Sequence, residues 1–99
     1  MSDLETRLAA LAAAGQTISY GQLAHDLGWP VARLTDALER LMEEDARAGA
    51  PLRAALLEAR LGNGLPARGF FDKAASLGIY PEDPAAFVAA TRAALRARA

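Results

Sequence analysis

Residues 17–30, TISYGQLAHDLGWP, contain both a helix start and a helix stop. Ser19 carries the short hydroxyl side chain that helix N-caps favour, and Gly28 is the residue type that most often ends a helix in the left-handed conformation. Because the residue before a proline avoids the helical region, Trp29-Pro30 forces an extended step in the chain. The stretch therefore predicts a short helix, a tight turn and a second helix that begins after Pro30.

Helices are also expected on both sides of this stretch. Residues 3–14 form a first helix, with Ser2 and Glu5 at capping-box spacing. Residues 31–48 form the longest helix, because large apolar residues recur on one face at Val31, Leu34, Leu38, Leu41 and Met42. Asp36–Arg40 and Glu43–Arg47 give the opposite face acid-before-base pairs. Two C-terminal helices are predicted, one over residues 69–78 and one that Asp83 caps.

Residues 52–61, LRAALLEARL, leave two interpretations open. Alanine, leucine, arginine and glutamate favour a helix. The following GNGLP, residues 62–66, is a strong turn signal, and the short segments on either side of it are compatible with a β-hairpin. Periodicity does not decide between strand and helix over so short a span.

The composition indicates one small, mainly helical domain over residues 1–99. The chain contains 25 alanines, 15 leucines and no cysteine. Its net charge is −1, with −4 in residues 1–50 and +3 in residues 51–99, so an anionic partner is expected to meet the C-terminal half. No apolar run is long enough to cross a membrane, and no secretion signal is apparent. We therefore expect no membrane partner and a cytoplasmic location.

The order of elements resembles a winged helix-turn-helix, and residues 17–60 are similar to the C-terminal DNA-binding domain of alkylguanine-DNA alkyltransferases and alkyltransferase-like proteins. The likeness lies in the family's TYGELA..LG.P pattern, matched here at Tyr20, Gly21, Leu23, Ala24, Leu27, Gly28 and Pro30. Residues 51–71 also resemble a segment of uncharacterised bacterial winged-helix proteins in which a strand leads into a Gly-Leu-Pro turn. The resemblance implies a β-hairpin wing at about 52–70, so residues 52–61 are predicted as strand.

Enzymatic activity is not expected. Residues 51–60 lie where the resembled family has its Pro-Cys-His-Arg motif, yet the chain has no cysteine to accept an alkyl group. His25 is the only histidine, so it has no histidine or cysteine partner with which to hold a metal. We therefore predict no catalytic residue, no metal and no cofactor.

Six residues form the predicted DNA-binding set. The resemblance puts Tyr20 at the DNA backbone, and its alternative role is to pack on the core. Arg33 and Thr35 lie on the first turns of the helix that would enter the major groove, although the acids Glu39, Glu43, Glu44 and Asp45 indicate a solvated face. Arg60, Asn63 and Arg68 surround the glycine turn, where a wing would follow phosphates. Arg92, Arg96 and Arg98 are interpreted as solubilising charges.

The leading functional hypothesis is a non-enzymatic winged-helix protein that binds double-stranded DNA weakly or non-specifically. The alternative is a protein-interaction module on the same scaffold, including a homodimer, which uses the acidic face of helix 31–48 or the Phe70–Phe71 region. A third hypothesis is a cysteine-free sensor of DNA damage, like the alkyltransferase-like proteins.

Overall fold

The computed structural model describes residues 3–99 and is mainly helical. Its helices are α1 (Asp3–Ala14), α2 (Tyr20–Leu27), α3 (Val31–Arg47), α4 (Arg68–Ser76) and α5 (Pro84–Arg98), with a short 3₁₀ turn at Arg53–Leu56. Two strands, β1 (Ile18–Ser19) and β2 (Leu57–Glu58), complete the fold. No helix within residues 3–99 combines the length and the apolar character needed to cross a bilayer. Ser2, predicted as part of a capping box, lies outside the described residues.

The helix start and stop predicted in residues 17–30 are confirmed. The Ser19 hydroxyl accepts a hydrogen bond from the backbone N–H of Gln22 at 3.1 Å, which caps α2. Gly28 ends the helix with φ +70°, a left-handed conformation that costs a glycine little. Pro30 then precedes α3, so that α2 and α3 are joined by a tight turn.

The core is built from leucines on the inner faces of the helices and from the 3₁₀ turn. Leu4, Leu8, Leu23, Leu34 and Leu57 are among its fully buried side chains. On α3, the predicted apolar face is buried at Leu34, Leu38, Leu41 and Met42. Val31 is 50% exposed, so its predicted burial is wrong. It is the first residue of α3 and faces an open cleft instead of the core.

The predicted β-hairpin wing at residues 52–70 is wrong. This segment contains the 3₁₀ turn, the two-residue strand β2, a turn and the start of α4. β2 pairs in parallel with β1, with Ile18 opposite Leu57 and Ser19 opposite Glu58. A second strand of a hairpin does not form after the turn, because Pro66 has no N–H to donate to a partner strand and α4 already begins at Arg68. Residues 52–61 are accordingly neither a continuous strand nor a continuous helix.

Polar contacts from α3 and α5 attach the 53–58 segment to its neighbours. Asp45 of α3 is 5% exposed and accepts hydrogen bonds from the backbone N–H and the Nε of Arg53, at 2.9 and 3.0 Å. Arg92 of α5 donates from Nε to the carbonyl oxygen of Ala55 at 2.7 Å and from Nη2 to that of Leu57 at 3.3 Å. Arg92 therefore has a structural role, and its interpretation as a solubilising charge is wrong.

Candidate nucleic-acid interface

A cleft of about 330 Å³ lies between α3 and the 59–70 segment. Its walls are mostly apolar and are formed by Tyr20, Val31, Thr35, Leu38, Glu39, Met42, Ala54, Ala59, Arg60, Ala67, Gly69 and Phe70. Three residues of the predicted DNA-binding set, Tyr20, Thr35 and Arg60, therefore line one cleft although they come from separate parts of the chain. The fold brings half of that set together.

The first turns of three helices meet at this cleft. Tyr20 is the first residue of α2, Val31 the first of α3, and Gly69 the second of α4. Helix N-termini carry unpaired N–H groups and a partial positive charge. Pro30 and Ala67, the N-cap residues of α3 and α4, supply no capping side chain, whereas Ser19 caps α2 and the Tyr20 hydroxyl accepts from the N–H of Ala67. Arg60 adds one full positive charge to the wall beside these helix starts.

Among residues 3–99, Glu39 is the only acidic side chain that lines the cleft. Two other acids of α3 are neutralised within the fold. Asp45 forms an ion pair with Arg53 at 2.9 Å, and the carboxylate of Glu43 lies 3.3 Å from the Nζ of Lys73 on α4. The acidic second half of α3 is therefore less repulsive to an anion than its sequence suggests.

Tyr20 is half-buried, and its ring packs against the hydrophobic core, as in the alternative interpretation of this residue. Its hydroxyl oxygen accepts a hydrogen bond from the backbone N–H of Ala67 at 3.0 Å. Burial raises the pKa of Tyr20 above 10.0, and this effect outweighs the hydrogen bond from Ala67 and the charge of Arg92, which lower it. The hydroxyl remains protonated at neutral pH and keeps a hydrogen to donate.

Arg33 and Thr35 lie on different sides of α3. The guanidinium of Arg33 stacks over the ring of Trp29, 4.2 Å from its centroid, and does not line the cleft. Thr35 does line it, and its hydroxyl donates to the carbonyl oxygen of Val31 at 3.1 Å. Residues two apart on a helix do not share a face. The two predicted contacts on α3 are therefore separated by the width of the helix.

Asn63 and Arg68 also lie outside the cleft walls. Asn63 is at the turn after β2, with φ +50°. Arg68 belongs to the first turn of α4 and not to a wing, and its side chain is 93% exposed, with Nε 3.8 Å from the carboxylate of Asp72. At that distance in water the ion pair is weak, so the Arg68 side chain is available to an external anion.

Sequence reasoning missed the structural roles of Asp45, Arg53 and Arg92. One signal was present for Asp45, because it continues the spacing of the buried residues Leu38 and Leu41. Arg53 and Arg92 donate mainly to groups brought near by the tertiary fold, and no local pattern in the sequence indicates those partners.

Comparison of the chain with protein-family models, curated proteins and solved structures finds no match. Within residues 3–99, no group of three or more histidine, aspartate or glutamate side chains is arranged to hold a metal ion.

Proposed function

We propose that the protein binds double-stranded DNA without catalysis, weakly and with little sequence preference. The observation that carries this proposal is that the first turns of α2, α3 and α4 meet Arg60 at one cleft, with α3 and α4 lacking a capping side chain of their own. Partial positive charges and an arginine at the same mouth favour a phosphate. The cytoplasmic location expected from the sequence agrees with a chromosomal ligand.

In the proposed complex, α2 and α3 act as a helix-turn-helix, with α3 as the helix that enters the major groove. Ala32 and Arg33 are exposed on its first turn, ahead of the acidic second half. The turn at residues 60–65 takes the place of a hairpin wing beside α3, and Arg68 lies just beyond it. The proposed likeness to a winged helix is therefore limited to the arrangement of the helices and the position of the turn, and it does not include a β-hairpin.

The charges support a weak and salt-sensitive complex. Arg33, Arg60 and Arg68 are the exposed cations of the predicted set. Because each phosphate contact contributes about −0.9 to the slope of log K against log salt, three contacts give a slope of about −3. Such a contribution is independent of sequence, which accounts for the low specificity of the proposed binding.

An NMR titration of the ¹⁵N-labelled protein with a short duplex at low salt, repeated at higher salt, tests the proposal. We expect shifts confined to residues 19–22, 31–36 and 60–68 that fade as salt rises. Arg60→Ala and Arg68→Ala should each weaken binding to all sequences and reduce the salt slope by about 1. Arg47→Ala, at the far end of α3, is the matched control and should bind like the wild type.

Two results would contradict DNA binding. One is the absence of any shift at millimolar duplex and low salt. The other is an unchanged affinity and salt slope in both Arg60→Ala and Arg68→Ala, because these cations would then not contact phosphate.

The alternative function is self-association, and the apolar walls of the cleft favour it. Val31 is 50% exposed in the cleft and Leu61 is 93% exposed next to Arg60. In a two-fold dimer, Leu61 of each copy enters the cleft of the other, and Arg60 of one copy meets Glu39 of the other, as a self-complementary interface requires. Sedimentation over a range of concentrations tests this: a dimer that Leu61→Ala dissociates would support it, and a monomer throughout would exclude it.

A further inference from the structure

Leu61 is the most exposed large hydrophobic residue in the described part of the chain, at 93%. It follows Arg60, which lines the cleft beside α3, and lies in the same turn as Asn63. A single exposed leucine is common on protein surfaces and is not by itself a site. The surroundings of Leu61, however, distinguish it from an ordinary surface residue.

The turn that carries Leu61 is closed by its own hydrogen bonds. The N–H of Gly62 donates to the carbonyl oxygen of Ala59 at 3.1 Å, and the N–H of Leu65 donates to that of Gly62 at 2.9 Å. A third bond, from the N–H of Ala59 to the carbonyl oxygen of Leu65 at 2.8 Å, joins the two ends of the turn. The backbone on both sides of Leu61 is therefore constrained, and its exposed side chain projects from the turn.

Close packing and an anchor outside the turn add to this rigidity. A Cβ at Gly62 would lie 2.7 Å from the carbonyl oxygen of Leu65, so the backbone approaches there as only glycine allows. Beyond the turn, Pro66 is buried and the N–H of Ala67 donates to the hydroxyl of Tyr20 on α2. The turn is thus connected to the helix start that lines the cleft.

Cations lie on both sides of this apolar tip along the chain, Arg60 before it and Arg68 after it. If the two arginines contact phosphates of the DNA backbone, the turn between them is held against the duplex, and Leu61 then lies close to it. The principal apolar surfaces of a duplex are the faces of its base pairs, and proteins reach them by inserting leucine, isoleucine, phenylalanine or methionine between base steps from the minor groove.

We propose that Leu61 is an apolar wedge that inserts between adjacent base pairs from the minor groove, unstacks one step and kinks the duplex. This inference rests on the proposed DNA binding and adds to it the deformation of the ligand. A turn closed by its own hydrogen bonds loses little backbone freedom on insertion, which favours this use of the turn. The kink of such complexes is about 20–90°.

The proposal predicts which duplexes bind best. Pyrimidine–purine steps such as TA and CA/TG unstack most easily, so duplexes that contain them should bind more tightly than A-tracts of equal length and charge. A preference of this kind arises although no side chain reads a base edge. It therefore remains compatible with the low sequence specificity of the proposed function.

The test uses the full chain and a short duplex with 2-aminopurine next to a central TA step. Binding is followed by fluorescence anisotropy of an end label, unstacking by 2-aminopurine emission, and bending by energy transfer between the two ends. The variants are Leu61→Ala, Leu61→Met, which retains a long apolar side chain, and Tyr80→Ala. Tyr80 is 75% exposed on a different turn, so its variant controls for the loss of an exposed apolar side chain.

The wedge is supported if the wild type, Leu61→Met and Tyr80→Ala bind with increased 2-aminopurine emission and bending, while Leu61→Ala binds without either. Binding of the wild type with no increase in emission, or an equal increase with Leu61→Ala, overturns the wedge but leaves the DNA binding intact. The absence of binding at low salt overturns both. Loss of a wild-type dimer in Leu61→Ala, without any DNA binding, would instead assign Leu61 to self-association.

Discussion

The hydroxyl of Tyr20 and the backbone N–H of Ala67 form a hydrogen bond of 3.0 Å between residues that are far apart in the chain. Tyr20 begins α2, and Ala67 is the N-cap of α4. The bond therefore sets the position of one helix start relative to another at the edge of the cleft. Because the turn with Leu61 ends just before Ala67, the same bond also anchors one side of that turn.

Tyr20→Phe should destabilise the protein by about 1 kcal/mol, since the N–H of Ala67 loses its acceptor while the ring keeps its packing. We expect the largest increase in amide exchange at Ala67 and in the adjacent turn. Urea unfolding and hydrogen exchange measure the two effects. Tyr80→Phe is the control, because Tyr80 is 75% exposed, and should leave the stability unchanged. Equal stability of Tyr20→Phe and the wild type would show that the hydrogen bond contributes nothing.

The raised pKa of Tyr20 predicts a loss of stability in alkali. Burial, the largest cause, disfavours the phenolate in the folded state, so the folded pKa lies above the unfolded value of 10.0. The contribution of the protonated Tyr20 hydroxyl to the free energy of unfolding is fully present below pH 10, and it is lost as the pH rises through the folded pKa. Urea unfolding at increasing pH should therefore show a steeper decline for the wild type than for Tyr20→Phe. If the stability of the wild type and of Tyr20→Phe declined equally with pH, the raised pKa of Tyr20 would be contradicted.

The helices of this fold follow from local signals in the sequence. Ser19 and Gly28 bound α2 because capping and left-handed glycine act within a few residues, and Asp83 caps α5 for the same reason. The segment from Leu52 to Leu61 could not be assigned in this way. Its 3₁₀ turn and two-residue strand are held by β1, Asp45 and Arg92, which are remote in sequence.

The sequence indicated three of the residues that line the cleft but not their arrangement. Tyr20, Thr35 and Arg60 line one cleft, whereas Arg33 lies on another side of α3 over Trp29. A sequence pattern places residues on a helix face, but it does not say which neighbouring segment covers that face. Leu61 was not among the predicted site residues, because its importance depends on the closed turn that exposes it.

Asp45→Ala should be strongly destabilising although its position suggested a surface acid. The substitution removes the acceptor of the backbone N–H and the guanidinium of Arg53, and it leaves those donors partly buried. We expect a loss of about 2 kcal/mol, below that of a fully buried pair because the Arg53 side chain still reaches water. Asp36→Ala, on the exposed face of the same helix, should change stability by less than about 0.5 kcal/mol. Similar small losses for both variants in urea unfolding would refute the role of Asp45.

Arg33→Ala should separate folding from DNA binding. Its stacking on Trp29 is exposed and contributes about 0.5–1 kcal/mol, so the fold should persist. If Arg33 contacts phosphate, adding duplex to the wild type should change the emission of Trp29, the only tryptophan. The change should fade with salt and be absent in Arg33→Ala. Arg47→Ala serves as the control with an unaltered response. An emission change that persists in Arg33→Ala would exclude Arg33 from the interface.

Two glycine-to-alanine substitutions should change stability in opposite directions. Gly21 lies in α2, and no atom beyond its chain neighbours and its own helix backbone lies within 4 Å of an added Cβ. Gly21→Ala should therefore stabilise the protein by about 0.5 kcal/mol through the lower entropy of the unfolded chain. Gly62→Ala would put its Cβ 2.7 Å from the carbonyl oxygen of Leu65, which forces the closed turn to move. We expect it to cost about 1–3 kcal/mol. Thermal unfolding measures both, and a stable Gly62→Ala with unchanged amide protection at Leu65 would mean that the turn is not closed as described.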